Sequence, residues 1–249
     1  MSAPRQPLTA RLAAGRPCAA RGDAAAHGCG PRRLRRRLLA GALGSALLVL
    51  GGAGTRGALA ADSAGAPPPE PQVGRPAPDF VVLDSDGTRR RLADFQGKVV
   101  VLEWTNADCP YTRKHYESGN MQAAQRLARD RGAVWLSVVS SAPGTQGYVT
   151  GPEANELSRR RHALPSAVLL DPEGSMGRAY PARTTPHLFV IDAGGVLRYM
   201  GGMDSIASTD VADIARAEPY LKEALLAVLD GQPVAHAVTP PYGCSVKYR

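Results

Sequence analysis

From Gly74 onwards, apolar positions recur with the periods of strands and helices. Four apolar residues at Val99–Leu102, three of them β-branched, predict a buried parallel strand. Helical spacing predicts a helix over Met121–Arg131, separated from the preceding helix at Gly119–Asn120. Further apolar runs predict strands at Phe80–Leu83, Ala133–Val139, Ala167–Leu170, Leu188–Ile191 and Val196–Met200, a loop at Gly144–Pro152, and helices at Glu153–Ala163 and Pro219–Leu229. Alternating strands and helices that end in a hairpin predict an α/β fold: a central mixed sheet with helices on both faces.

Cys109 lies at a junction where a thiol can become reactive. It follows the Val99–Leu102 strand and a turn, and it precedes Pro110, a residue favoured at the first position of a helix. Unpaired amide groups and the positive end of the helix converge there, and both lower the pKa of a thiol. We therefore expect Cys109 to be a nucleophile. The alternative is a buried, inert cysteine.

The charge of the chain is concentrated in its N-terminal part. The 249 residues carry a formal net charge of +8, but residues 1–61 hold ten arginines and one acidic residue. The remainder is close to neutral, so composition gives no reason to expect a nucleic-acid partner.

The N-terminal part has the order of a secretory signal. A basic stretch, Arg32–Leu38, precedes an apolar run, Leu39–Gly54, and small residues at Ala58 and Ala60. This order predicts export to the periplasm or another extracytoplasmic site, with cleavage after Ala60. The arginine pairs are compatible with twin-arginine export. The alternative is an uncleaved anchor, although the apolar run is shorter than the roughly 20 residues of a typical membrane span. We expect no other membrane contact.

These patterns divide the chain into four parts. Residues 1–60 are the predicted leader, and residues 61–73, which include Pro67–Pro69, are a proline-rich linker. Residues 74–231 form the predicted domain, and residues 232–249 form an irregular tail that carries Cys244.

Four segments resemble the thioredoxin-fold redoxins, in particular the alkyl hydroperoxide reductase/thiol-specific antioxidant branch, which includes the peroxiredoxins. They are Gly74–Phe80, Glu103–Pro110, Asp171–Tyr180 and Thr184–Asp192. The resemblance runs from Gly74 to roughly Asp230. It implies a thioredoxin-like fold and a thiol-dependent oxidoreductase without a cofactor, in which Cys109 attacks a peroxide oxygen or a disulfide sulfur.

Two departures from the family pattern bear on the reaction. Dithiol reductases carry a second cysteine where this chain has Thr112, and peroxiredoxins usually carry threonine where it has Asn106. A single cysteine in the motif favours a peroxidase, and thiol–disulfide exchange on a protein disulfide is the alternative. Either reaction needs an external thiol reductant.

Residues close to these motifs are candidates to support Cys109. Trp104 would shield the thiol or simply fill the core, and Arg113 with its neighbour Lys114 would add positive potential or lie on an exposed helix face. Thr185-Pro186, if cis, would place a backbone edge opposite Cys109. Residues His115 and His187 are near these motifs, and a satisfied structural histidine is the commoner role for each.

Cys244 is the expected partner of Cys109. Cys18 and Cys29 lie in the predicted leader, so its removal would leave two cysteines, which permit one disulfide and exclude a four-cysteine zinc site. We therefore predict that Cys244 resolves oxidised Cys109 through a disulfide. The alternatives are a bridge between two copies of Cys244 and a free thiol.

The sequence also allows two further classes of function. One is a copper site composed of Cys109, His187, His236 and Cys244. The other is a redox-inactive binding module. Neither is the expected function, and we expect no bound metal.

Overall fold

The structure is a computed structural model, and it describes residues 71–249. The predicted leader and most of the predicted linker lie outside the described residues. Within the described range, no helix combines the length and the apolar character that crossing a membrane requires.

The core of the fold is a mixed sheet, as predicted, and it has seven strands. Its strands are β1 (Val81–Asp84), β2 (Arg89–Arg91), β3 (Val100–Trp104), β4 (Val134–Val139), β5 (Ala167–Leu170), β7 (His187–Ile191) and β8 (Leu197–Gly201). Their order is β2-β1-β5-β4-β3-β7-β8. The central strands β3, β4 and β5 are parallel, and each outer strand pairs antiparallel with its neighbours. A second small sheet pairs β6 (Thr184–Thr185) with β9 (Cys244–Ser245).

Strand β3 is buried on both faces because helical elements cover both sides of the sheet. The helices are α1 (Pro110–Glu117), α2 (Asn120–Asp130), α3 (Gly151–Arg160), α4 (Ser175–Ala179) and α5 (Tyr220–Leu229). Val100 and Leu102 pack with Met176 of α4, whereas Val101 packs with Met121 of α2 and Leu225 of α5. Successive residues of a strand point to opposite faces, so one apolar run supplies both halves of the core.

The predicted break between the first two helices is present. Gly119 has φ +78°, a left-handed conformation that glycine adopts without strain, and α2 begins at the next residue. The prediction that the loop extends from Gly144 to Pro152 is wrong at its end, because α3 begins at Gly151. Thr150 donates its amide to the Glu153 side chain at 2.7 Å, which forms a capping box at this earlier start.

The tail predicted as irregular contains the short strand β9 and packs against the domain. The Val246 amide donates to the Arg183 carbonyl at 3.0 Å, and the Ala142 amide donates to the Lys247 carbonyl at 2.8 Å. The Tyr248 hydroxyl donates to the Ala182 carbonyl at 2.7 Å. These long-range contacts fix the path of a segment that has no periodic pattern of its own. The same contacts bring the tail to the end of the sheet where Cys109 lies.

Candidate active site

Cys109 caps the N-terminus of α1, where the sequence places it. The Cys109 side chain is fully buried, and Pro110 is the first residue of the helix. The Cys109 amide donates to the Asn106 carbonyl at 3.2 Å. The Cys109 carbonyl accepts the first hydrogen bond of the helix from the Arg113 amide at 2.9 Å. The main chain of Cys109 is therefore fixed by a hydrogen bond at its amide and another at its carbonyl.

The segment before Pro186 faces this thiol. The Thr185–Pro186 peptide bond is cis, and Thr185 is the last residue of β6. The Cys109 thiol donates to the Thr185 carbonyl at 2.9 Å. The structure thus brings together two motifs that lie 76 residues apart in the chain.

Cys244 lies beside Cys109, and both cysteines are reduced. In the small sheet Thr185 pairs with Cys244, and the Cys244 amide donates to the Cys109 Sγ at 3.4 Å. The Thr185 hydroxyl donates to the Cys244 carbonyl, also at 3.4 Å. The two predicted redox cysteines therefore share one hydrogen-bonded cluster.

The two thiols differ in acidity. Burial raises the pKa of Cys109, but hydrogen bonds from the Cys244 side chain and from the Thr112 and Cys244 amides outweigh it, so its net pKa lies below the ordinary value. Burial, the hydrogen bond to Cys109 and the negative charge of Cys109 raise the pKa of Cys244 to about 11. Near neutral pH, Cys109 is the better source of thiolate.

This difference predicts a pH dependence. The thiolate fraction of Cys109 rises with pH, so its alkylation rate should reach half of its maximum below the usual thiol pKa of about 8.5. C244A removes one of the hydrogen bonds that lower this pKa, and the midpoint should move upwards. Iodoacetamide labelling over a pH series, with peptide mapping to separate the cysteines, measures both values. A Cys109 midpoint above 8.5 in the wild type would contradict the prediction.

The predicted supporting residues have different surroundings. Trp104 is a fully buried core residue that packs against Tyr180 at a tilt and against Phe189 edge-on. It donates its indole N–H to the Ser140 hydroxyl at 3.0 Å. The Thr112 side chain is buried, whereas Arg113 is exposed.

His236 lies away from the cysteines. Its Nε2 is 3.0 Å from the Glu218 Oε1 atom in an exposed pair. Within residues 71–249, no group of three or more His, Cys, Asp or Glu side chains could hold a metal ion, so the alternative copper site is not assembled there.

Sequence reasoning missed a polar cluster that adjoins the site. Lys114 and His115 of α1 are buried, and both approach the Asp204 carboxylate. Tyr242, two residues before Cys244, also contacts Asp204 and His115. Lys114 and His115 were candidates from the sequence, although the alternative that Lys114 lies on an exposed helix face is wrong because its side chain is buried. No local pattern indicates Asp204 or Tyr242, because their contacts depend on the path of the tail.

A thioredoxin-like fold with a buried cysteine at a helix N-terminus, facing a cis-proline segment, defines a redoxin and hence a thiol-dependent oxidoreductase. The chain belongs to the AhpC/TSA family, whose model matches residues 73–200. The resemblance inferred from the sequence is therefore confirmed.

Three other proteins are similar to part of this chain in sequence or in structure. The thiol-disulfide oxidoreductase ResA of Geobacillus kaustophilus is 29% identical over 133 residues, which cover 51% of this chain and 67% of ResA. A hypothetical protein of Sinorhizobium meliloti 1021 has a similar structure, with a TM-score of 0.60 and 23% identity over 72% of this chain and 95% of its own. An uncharacterized conserved protein of Geobacillus kaustophilus gives a TM-score of 0.59 at 22% identity, over 72% of this chain and 93% of its own. The two structures support the fold.

Proposed function

We propose that this protein is a two-cysteine thiol peroxidase, in which Cys109 attacks the peroxide and Cys244 resolves the product. The observation that carries the proposal is the position of Cys244, whose amide donates to the Cys109 Sγ at 3.4 Å. A peroxidase of this kind needs a second thiol within reach of the oxidised cysteine. Thr112 has no thiol, and the position of Cys244 next to the Cys109 Sγ supports Cys244 as this second thiol.

The chemistry takes two steps at the protein. The Cys109 thiolate attacks one oxygen of a hydroperoxide, the O–O bond breaks, and the leaving alkoxide or hydroxide takes a proton to become an alcohol or water. Cys109 is then a sulfenic acid. The Cys244 sulfur attacks the Cys109 sulfur, water leaves, and a Cys109–Cys244 disulfide forms. An external thiol reductant supplies two electrons and two protons to restore both thiols.

The acidities of the two thiols suit this order. Part of the rise in the Cys244 pKa comes from the negative charge of Cys109. A sulfenic acid is uncharged, so oxidation of Cys109 removes that cause. Cys244 therefore ionises more readily once its partner has reacted.

The covered site favours a small oxidant. Cys109 is fully buried, and β9 already pairs with β6 through Thr184–Ser245 and Thr185–Cys244. An extended polypeptide would need that same edge, whereas a hydroperoxide needs only a narrow approach to the sulfur. This contact favours a peroxide over a protein disulfide as substrate.

Thiol–disulfide exchange is the second candidate, and it rests on the similarity to ResA. In this reaction the Cys109 thiolate attacks one sulfur of a substrate disulfide and expels the other as a thiolate. Cys244 then attacks the Cys109 sulfur of the mixed disulfide and releases the second substrate thiol. The end state is again a Cys109–Cys244 disulfide, so the two candidates differ in the first step.

The rate of that first step distinguishes the two functions. Reduced protein is mixed with hydrogen peroxide or with a model disulfide, and the second-order rate constant for loss of the Cys109 thiol is measured for each. We expect the peroxide reaction to be the faster. C244S should react once with peroxide and stop at the sulfenic acid, and C109S should not react at that site. The C244S arm is therefore the matched control for resolution.

Two outcomes would contradict the proposal. A faster reaction with the disulfide would favour the second candidate. A C244S variant that turns over peroxide as fast as the wild type, with the same reductant, would exclude Cys244 as the resolving thiol. Non-reducing peptide mapping identifies the Cys109–Cys244 bridge directly and distinguishes it from a bridge between two copies of Cys244.

Export is part of the proposal. Its support is the basic, apolar and small-residue order of residues 32–60. The mature protein would begin at Ala61, and N-terminal sequencing of the protein from its native cell envelope checks this. Finding Met1 on protein from the cytoplasm alone would contradict export.

A further inference from the structure

Tyr242 lies two residues before Cys244, and its hydroxyl is hydrogen-bonded on two sides. It donates to the Asp204 Oδ1 atom, and it lies 3.1 Å from the His115 Nε2 atom. The His115 side chain is fully buried, and Asp204 is 4% exposed. The tail is therefore fixed to the interior immediately before the proposed resolving cysteine.

The donor and acceptor in each hydrogen bond of His115 and Tyr242 follow from the protonation of their neighbours. The Asn120 side-chain amide nitrogen lies 2.9 Å from the His115 Nδ1 atom, and an amide N–H can only donate. Burial lowers the pKa of His115 to about 4, against the opposing effect of Asp204, so the ring is neutral near pH 7. Its single proton is then on Nε2 and is donated to the Tyr242 oxygen. Tyr242 in turn donates its own proton to Asp204.

Lys114 balances the charge of this cluster. Its Nζ is 3.6 Å from the Asp204 Oδ2 atom and donates to the Ile206 carbonyl at 3.2 Å. The same nitrogen lies 5.5 Å from the centre of the Tyr242 ring. Lys114 and His115 belong to α1, the helix that Cys109 caps. The cluster thus joins the helix of one cysteine to the strand of the other.

We propose that Tyr242 is a positioning residue that holds Cys244 against Cys109. The inference rests on the proposed function, because it concerns the resolving step. On its C-terminal side, Cys244 is held by the contact between the Val246 amide and the Arg183 carbonyl at 3.0 Å. On its N-terminal side, the Tyr242 hydroxyl is the anchor nearest to Cys244, and Thr239 is held further back by its amide, which donates to the Met200 carbonyl at 3.1 Å. Loss of the hydroxyl should therefore free one side of a two-residue strand and lower the effective concentration of Cys244 at the Cys109 sulfur.

The test compares the wild type, Y242F and Y148F. Tyr148 is an exposed tyrosine outside the cluster of Tyr242, His115 and Asp204, so Y148F makes the same chemical change without removing the hydrogen bonds of that cluster. The effective concentration of Cys244 is measured in a glutathione buffer, from the ratio of the Cys109–Cys244 disulfide to the Cys109–glutathione mixed disulfide. The rate of the first reaction of Cys109 with hydrogen peroxide is measured separately, and circular dichroism checks the fold.

We expect Y242F to lower the effective concentration about tenfold, because it loses two hydrogen bonds, one of them to a carboxylate. The peroxide reaction of Cys109 should not slow, and Y148F should match the wild type in both measurements. An unchanged effective concentration in Y242F overturns the inference alone. An equal fall in the effective concentration of Cys244 and in the peroxide rate of Cys109 also overturns it, because it indicates general damage to the fold. A wild type that forms no Cys109–Cys244 disulfide contradicts the proposed function and the inference together.

Discussion

Replacing Glu103 by alanine should lower the free energy of unfolding by about 4 kcal/mol, among the largest effects that a single substitution produces. Glu103 is the fourth of the five residues of β3 and is fully buried. Its carboxylate accepts hydrogen bonds from four side chains: the Tyr116 hydroxyl at 2.9 Å, the Trp135 indole at 2.9 Å, the Ser137 hydroxyl at 3.0 Å and the Gln125 amide at 3.4 Å.

The size of the effect follows from the donors that remain. E103A leaves four buried donors without their acceptor and opens a cavity, and each unsatisfied buried group costs roughly 1–3 kcal/mol. E103Q should be intermediate, because its amide keeps one acceptor oxygen but places N–H donors against the donors of its neighbours.

Urea unfolding followed by circular dichroism measures the effect. The control is E156A, because Glu156 is exposed on α3 and pairs with Arg159 at the surface. Such a surface pair contributes less than about 1 kcal/mol. A loss of under about 1 kcal/mol in E103A would show that the four donors find other partners, and it would contradict the prediction.

Replacing Gly243 by alanine should remove β9 from β6 and expose Cys109. Gly243 has φ +137°, and a Cβ built there would lie 2.7 Å from the Thr185 carbonyl carbon and closer still to its oxygen. These are backbone atoms of the segment that faces Cys109, so they cannot move aside as a flexible side chain could. The tail must therefore shift, and Cys244 must shift with it.

Two measurements report this displacement. The rate at which a bulky maleimide labels Cys109 should rise at least tenfold, and the Cys109–Cys244 disulfide should no longer form on oxidation. The matched control is G231A, because Gly231 also has a positive φ, +65°, but a Cβ there meets nothing within 4 Å. G231A therefore places alanine at a positive φ, as G243A does, but without a collision of the new Cβ with other atoms. If G243A labelled as slowly as G231A, the tail would not be what covers the thiol.

The local parts of this protein could be predicted from its sequence. The apolar run Val99–Leu102 indicates the central strand, and Pro110 indicates where the next helix begins. Gly119 indicates where that helix ends. Each of these features depends on neighbouring residues only, so the sequence placed Cys109 at the N-terminus of a helix. It also marked Cys244 as a partner, because two cysteines remain once the leader is set aside.

The surroundings of these residues were decided by the tertiary structure. Cys109 and Cys244 are 135 positions apart, and they are brought together by long-range contacts such as the pairing of β6 with β9. Glu103 interrupts an apolar run, but its donors lie on other elements of the fold, so their convergence on one carboxylate depends on the packing of the sheet against α1 and α2. Asp204 and Tyr242 carry no local pattern at all. A short-range period specifies an element, whereas the partners of a buried polar group depend on which elements the fold brings together.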